Sequence, residues 1–353
     1  MGASGTWVAL YRRNSRIINI EWRLLVMRYK LQQRQEIKKK MKEKYKTVPV
    51  FIEKYFLTLE SEKSRMDYYG KIVRCLNWLM ENGHVACGNI LELIPKYLNE
   101  VKHVDILAYL ESLELNGLMD ATIKNHIHIL SSFWRYLVES DFVKKNIVAL
   151  ISSKRYQSPK KEVSTSTEDE LNEFVNNLRE IKNDFVSLRN ITIVNLFLAS
   201  GIRVSELVGL DLCDLYLFEE KPCIVIMEKG TYKYMRKVSI DPNVVSQLKQ
   251  YLTERSKFVE DESNTAVFIS THKKRVTDAA IRKFFKEYSN NTIHPHKLRH
   301  TFGTAMYVAS NYNIHAVSQA MGHKSIEITS QAYISNKVTE TVFNNMKLLT
   351  SVQ

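Results

Sequence analysis

The last third of the chain carries His296-Lys297-Leu298-Arg299-His300, then Gly322-His323, and then, ten residues past His323, Tyr333. This stretch supplies two general acid/base groups, a fixed cation and a phenol, the set that phosphoryl transfer to a protein hydroxyl requires. Upstream, Arg203 in Ser200-Gly201-Ile202-Arg203-Val204-Ser205-Glu206-Leu207 adds a second guanidinium. Two guanidiniums, each with paired N–H donors, make a natural clamp for the charge that builds on a phosphorus centre under attack. No glycine-rich phosphate loop and no carboxylate cluster suited to two metal ions is present in the sequence, so neither metal nor cofactor is expected.

Arg203, the HxxRH cluster, Gly322-His323 and Tyr333, in this chain order, resemble the tyrosine recombinase (phage integrase) family, in its Xer-like or transposon-integrase-like branches. The resemblance covers Thr47 to Gln353 and implies a site-specific DNA recombinase. Tyr333 would be the nucleophile that forms a 3′-phosphotyrosyl intermediate, with Arg203 and Arg299 holding the phosphate. By the same resemblance His296 is the proton acceptor near the nucleophile and His323 hydrogen-bonds the scissile phosphate. Lys229 in Glu228-Lys229-Gly230 matches the hairpin lysine that protonates the departing 5′ oxygen, with Lys233 as its rival, and Glu206 matches an acidic position able to orient Arg203. His300 matches a frequent structural position, and His294 sits where a small polar residue is expected. The family also implies double-stranded DNA with a specific recombination site as partner, a homo-tetramer on two such sites, and a mobile-element setting. Two alternatives share the chemistry or the fold: a type IB topoisomerase-like enzyme that relaxes supercoils, and a non-catalytic DNA-binding accessory protein.

The elements that must position these groups are mainly helical. With 353 residues, 44% of them hydrophobic, the chain can bury a sizeable core and is long enough for two domains plus an extension. No secretory signal pattern and no apolar run of about 18 residues is found, so a membrane role is not expected. The four cysteines, Cys75, Cys87, Cys213 and Cys223, form no CxxC pair and read as buried or half-buried thiols in a reducing cytoplasm; the resemblance implies a prokaryotic, nucleoid-associated protein. The net charge of +13 is concentrated at the start, where residues 1–46 hold 13 Lys or Arg against 3 Glu.

Residues 1–46 read as a basic extension, partly disordered, whose Leu31–Lys46 part is a charged helix without a clear apolar face. Met41 offers a second translation start just before the globular pattern, which would make residues 1–40 dispensable. Residues 47–152 read as helical throughout, and the resemblance implies that they form the core-binding domain for DNA. A first helix is expected to present Val50, Ile52, Phe56 and Leu57, and a second Tyr69, Ile72, Val73, Leu76 and Leu79. The fullest helix, Ala121–Glu139, carries Ile123, Ile127, Leu130, Phe133, Trp134, Leu137 and Val138 on one face. Lys124, His128, Ser131 and Arg135 recur on another face, either plain solvated surface or a donor stripe along DNA.

Residues 153–166 read as a linker and 167–353 as the catalytic domain. Thr167 and Glu170 form a capping box that announces its first helix. Ile191–Ala199 is an apolar helical run ended by Gly201, and Cys223–Met227 with Met235–Ile240 reads as a β-hairpin. Helices are expected over Asp278–Tyr288, Leu298–Val308 and Ile314–Met321, and an amphipathic tail helix over Lys337–Gln353. The fold class is therefore mainly α with a small antiparallel β-sheet in the catalytic domain (α+β), and the resemblance implies the family's two-domain clamp.

Overall fold

A computed structural model of the chain describes residues 34–156, 164–227, 235–259 and 264–322. Among the described residues the architecture is helical with one three-stranded sheet, the fold class read from the sequence. Two compact units divide it, one within Arg28–Lys161 and the other from Glu162 onward. No described helix is long and apolar enough to cross a membrane. The tail stretch Lys337–Gln353 lies outside the described residues.

The first unit contains α1 (Val50–Thr58), α2 (Glu62–Glu81), α3 (Pro95–Leu98), α4 (His103–Leu115) and α5 (Asp120–Glu139). The α5 face follows the apolar periodicity: Ile123, Ile127, Leu130, Phe133, Trp134 and Leu137 are buried, and Val138 packs at the edge. Burial of each such side chain is worth about 1.5–3 kcal/mol, so this stripe is a large part of the unit's core. Lys124, His128 and Arg135 stay exposed on another face of α5.

In α1 the outcome differs from the reading: Phe51, Ile52, Tyr55 and Phe56 are buried, whereas Val50 and Leu57 are exposed. The aromatic rings decide this, since Tyr55 packs at 5.2 Å from Phe133 and Phe51 at 5.7 Å from Phe142, and an aromatic side chain removes far more area from water than a valine does. Residues 34–45 are helical and do have an apolar face. Met41 is 2% exposed, Ile37 and Tyr45 pack beside it, and the Tyr45 ring stacks 5.9 Å from Phe56. That i, i+4, i+8 stripe is hidden in the sequence by the lysines around it.

The second unit contains α6 (Glu168–Arg179), α7 (Asp184–Ser200), α8 (Val204–Val208), β1 (Leu215–Tyr216), β2 (Cys223–Met227), β3 (Met235–Ser239), α9 (Pro242–Phe258), α10 (Asp278–Tyr288), α11 (Pro295–Ala309) and α12 (Ile314–Met321). The strands run antiparallel in the order β1-β2-β3, with Cys223 opposite Ser239 and Met227 opposite Met235. The expected capping box is formed: Glu170 N donates to Thr167 Oγ1 at 3.3 Å and Thr167 N to Glu170 Oε2 at 3.0 Å. Helix α7 is the centre of the unit. It packs against α6, α9 and α11, and this enclosure on several sides explains why its sequence is apolar without a polar stripe.

Gly201 ends α7 in the left-handed region, at φ 55°. A Cβ there would come within 2.3 Å of the Phe302 ring on α11. Gly201→Ala therefore combines a left-handed backbone cost of about 1–2 kcal/mol with overpacking of about 1–3 kcal/mol. We expect the melting transition of this unit to fall by roughly 10 °C, measured by calorimetry on the full chain.

Candidate active site

Helix α11 begins three residues earlier than its apolar pattern indicates, and that extension puts His296 on the same helical backbone as Arg299. Pro295 occupies the first turn, where its missing N–H costs nothing. His294 is the cap, its Nδ1 accepting from Lys297 N at 3.0 Å. This is the task of the small polar residue expected at that position, carried out here by an imidazole. Burial and the neighbouring cations Lys297 and Arg282 hold the His294 pKa below its ordinary value, as acceptance through a neutral Nδ1 requires. Lys297 itself turns inward, and its Nζ donates to Glu170 at 2.8 and 2.9 Å, tying the start of α6 to α11. Thr301 adds a second tie, accepting from Ser166 N at 2.9 Å.

Arg299, one turn after His296, is only 3% exposed. Its Nη1 donates to the Gly201 carbonyl and its Nη2 to the Met321 carbonyl at 2.6 Å. Arg203 caps α8 and is held by Glu206: the carboxylate takes Arg203 Nη1 at 2.7 Å and Arg203 N at 2.9 Å. A second guanidinium nitrogen, Nη2, donates to Gly322 O at 3.0 Å. Arg203 and Arg299 thus arrive from different helices and address adjacent carbonyls at the end of α12, immediately before His323.

Glu206 is more than the i, i+3 partner of Arg203. Its Oε2 also accepts from Arg236 Nη2 on β3 at 2.9 Å. Burial alone would raise its pKa, but Arg236, the Arg203 N–H and the Arg203 guanidinium outweigh that and hold the carboxyl below its ordinary value. Arg236 is a site residue absent from the sequence reading. The period-2 pattern of the strand places Arg236 on the inward face with Val238 while Met235, Lys237 and Ser239 point out, but its partners on α8 and α12 lie beyond what that pattern encodes.

The His296 imidazole lies against that of His300, with ring centroids 4.4 Å apart. Its pKa is lowered, first by partial burial and then by the cations around it, Arg299 and Arg203 among them. The ring is therefore kept neutral and able to accept a proton beside the two guanidiniums. Lys229, its rival Lys233, His323 and Tyr333 lie outside the described residues. Gly322, the residue before His323, is a left-handed cap at φ 60°.

The His296 assignment makes a prediction about pH. An unfolded histidine titrates near 6.5, and His296 binds its proton only at lower pH. Acidification through the ordinary histidine range therefore favours the unfolded chain but leaves the folded site able to accept a proton. The second-order rate of DNA cleavage, which reports the free enzyme, should hold level through that range and fall only below it. An acid limb at or above the ordinary value would show that another group is the acceptor.

The chain matches the Phage integrase family over residues 165–340. It is 26% identical over 349 residues to tyrosine recombinase XerS of Streptococcus gordonii, an alignment that spans 85% of this chain and 96% of the relative. It is 31% identical over 223 residues to tyrosine recombinase XerC of Salmonella typhi, spanning 62% of this chain and 70% of the relative. Among solved structures, XerH site-specific recombinase bound to a palindromic difH substrate superposes with a TM-score of 0.58 at 20% identity, over 76% of each chain. A lambda integrase dimer bound to a COC′ core site superposes with a TM-score of 0.57 at 17% identity, over 80% of this chain and 93% of that one. Tn1549 transposon integrase in complex with circular intermediate DNA does so with a TM-score of 0.56 at 19% identity, over 77% and 98%. The structural likenesses carry the fold, the sequence likenesses carry the lineage, and together they establish that this chain belongs to the phage integrase family of tyrosine recombinases.

Proposed function

We propose that the chain is a site-specific DNA recombinase whose nucleophile is Tyr333. The observation that supports this best is the convergence of Arg203 and Arg299 on the carbonyls of Gly322 and Met321, with a neutral-held imidazole, His296, beside them. In this reading the Tyr333 hydroxyl attacks the scissile phosphorus, and its proton passes to His296. The P–O5′ bond breaks, and Lys229 protonates the leaving 5′ oxygen. Arg203 and Arg299 hold the two non-bridging oxygens, and His323 donates to one of them. The phosphotyrosyl ester keeps the energy of the broken bond, so a 5′ hydroxyl from the partner strand reverses the step without ATP.

The rest of the chain fits this reading. Residues 47–152 would be the domain that grips double-stranded DNA at a specific site, with the exposed stripe Lys124, His128 and Arg135 facing the backbone. Residues 167–353 would be the catalytic domain. Exchange between two sites calls for four protomers, one for each cleaved strand, acting on DNA in the cytoplasm of a prokaryote at the nucleoid. Neither a DNA-relaxing topoisomerase nor a non-catalytic accessory protein is favoured, because the named relatives are recombinases.

The test is a DNA duplex bearing the site with a nick beside the scissile phosphate. Cleavage releases a short strand that diffuses away, so the covalent adduct accumulates. Protease digestion and mass spectrometry should place the nucleotide on the peptide containing Tyr333. An adduct on another residue would reassign the nucleophile, and no adduct on any site-bearing DNA would remove the catalytic reading.

A further inference from the structure

The end of α12 presents a problem that the rest of the unit solves. The last carbonyls of a helix have no intrahelical donors, and here those of Ala320, Met321 and Gly322 each accept from a different guanidinium. Arg236 Nη1 donates to Ala320 O at 2.9 Å, Arg299 Nη2 to Met321 O at 2.6 Å, and Arg203 Nη2 to Gly322 O at 3.0 Å. Two of these arginines have a proposed role at the phosphate. The third has none, yet it is the one that also reaches Glu206, the carboxylate that holds Arg203.

Resting on the catalytic reading above, we infer that Arg236 is a positioning residue for strand cleavage. It acts as a strut from β3 that fixes where α12 ends relative to Arg203, and so where His323 begins. Its two bonds diverge from one rigid planar group, so they set a distance as well as a direction; an ammonium group has no such fork. The strut is enclosed. The side chains of Arg236 and Glu206 are 11% and 2% exposed, and a Cβ on Gly322 would come within 2.8 Å of Arg236 Nε. The guanidinium therefore lies directly beneath the residue from which the chain turns toward His323. Both of its Nη groups are engaged within the protein, so its effect passes through Glu206 and the Ala320 carbonyl.

The experiment uses the full chain and two variants, Arg236→Met, which keeps the stem and loses both bonds, and Arg236→Lys, which keeps the charge and can reach one partner. In the free protein, hydrogen exchange of the peptide spanning α12 should speed up about 10-fold or more in Arg236→Met, because a capped helix end is released, while α7 and α9 exchange as before. Single-turnover cleavage of the nicked duplex at saturating DNA should fall about 100-fold in Arg236→Met and about 10-fold in Arg236→Lys, with DNA affinity changed less than about 3-fold. Glu206→Gln should then cost much less in the Arg236→Met background than in the wild type, since the two residues act in one chain of contacts. If Arg236→Met fails to fold, Arg236→Lys carries the same measurements. Unchanged exchange in α12 would overturn the strut even with normal adduct formation by the wild type, and so would parallel losses of affinity and rate. A wild-type protein that forms no adduct would instead remove the catalytic reading and the positioning role with it.

Discussion

Tyr333→Phe should form no covalent adduct on the nicked duplex under conditions in which the wild type converts most of the DNA, while single-site binding stays within about 2-fold. The substitution removes one hydroxyl and leaves a ring of nearly the same shape, so a loss confined to the chemical step isolates the nucleophile. The expected effect is the largest in the molecule, because no other group among those assigned can form the ester. The choice among 18 tyrosines rests on chain position: Tyr333 follows Gly322-His323 at ten residues, and Gly322 is the residue to which Arg203 donates. A Phe variant that still traps DNA at the wild-type rate would mean that another of the tyrosines is the nucleophile.

Arg203→Lys and Arg299→Lys should each slow cleavage by about 10²–10³-fold at saturating DNA, the size of effect seen when one donor to a developing oxyanion is lost. They should differ in stability, and the difference follows from burial. Arg299 is enclosed and satisfies the carbonyls of Gly201 and Met321, so its replacement leaves at least one buried acceptor unmet at about 1–3 kcal/mol. Arg203 has a side chain 28% exposed, and Glu206, its buried partner, keeps Arg236 and the Arg203 N–H as donors when a lysine replaces the guanidinium. Arg299→Lys should therefore lower the melting temperature of the second unit by several degrees, and Arg203→Lys should leave it nearly unchanged. Equal losses in DNA affinity and in cleavage for both variants would show that the arginines only anchor DNA.

The helices that could be read from the sequence were those with an uninterrupted stripe. Helix α5 announced most of its buried face, though His126 and Ile129 are buried beside the expected residues and Val138 only packs at the edge; α10 and α12 have the bounds that their periodicity indicates, and the strand pair around the hairpin falls within one residue of expectation. Two features were obscured by composition. The helix of residues 34–45 hides Ile37, Met41 and Tyr45 among lysines, and α9 buries Val244, Val245, Leu248, Tyr251 and Leu252 in a stretch where polar residues fill the intervals. At the proposed site, Arg203 and Arg299 stand out in the sequence because their motifs are local. Arg236 does not, because its meaning depends on a carboxylate on α8 and a carbonyl on α12, contacts that no spacing in one strand encodes. The roles of His294 and Lys297 were missed for a similar reason: a histidine that caps a helix and a lysine that turns inward to a glutamate look the same in sequence as surface residues.

The three capped carbonyls of α12 also set a rule for how the gene for this protein can change length. Successive residues of a helix are rotated by about 100°, so inserting or deleting a single codon within Ile314–Met321 would turn Ala320, Met321 and Gly322 away from all three arginines at once. The turn Ser310–Asn313 just before it, by contrast, is exposed at Asn311, Tyr312 and Asn313. Length variation among descendants of this sequence should therefore accumulate in that turn and be purged from the helix, so that the helix behaves as a unit of fixed phase even where its individual side chains drift.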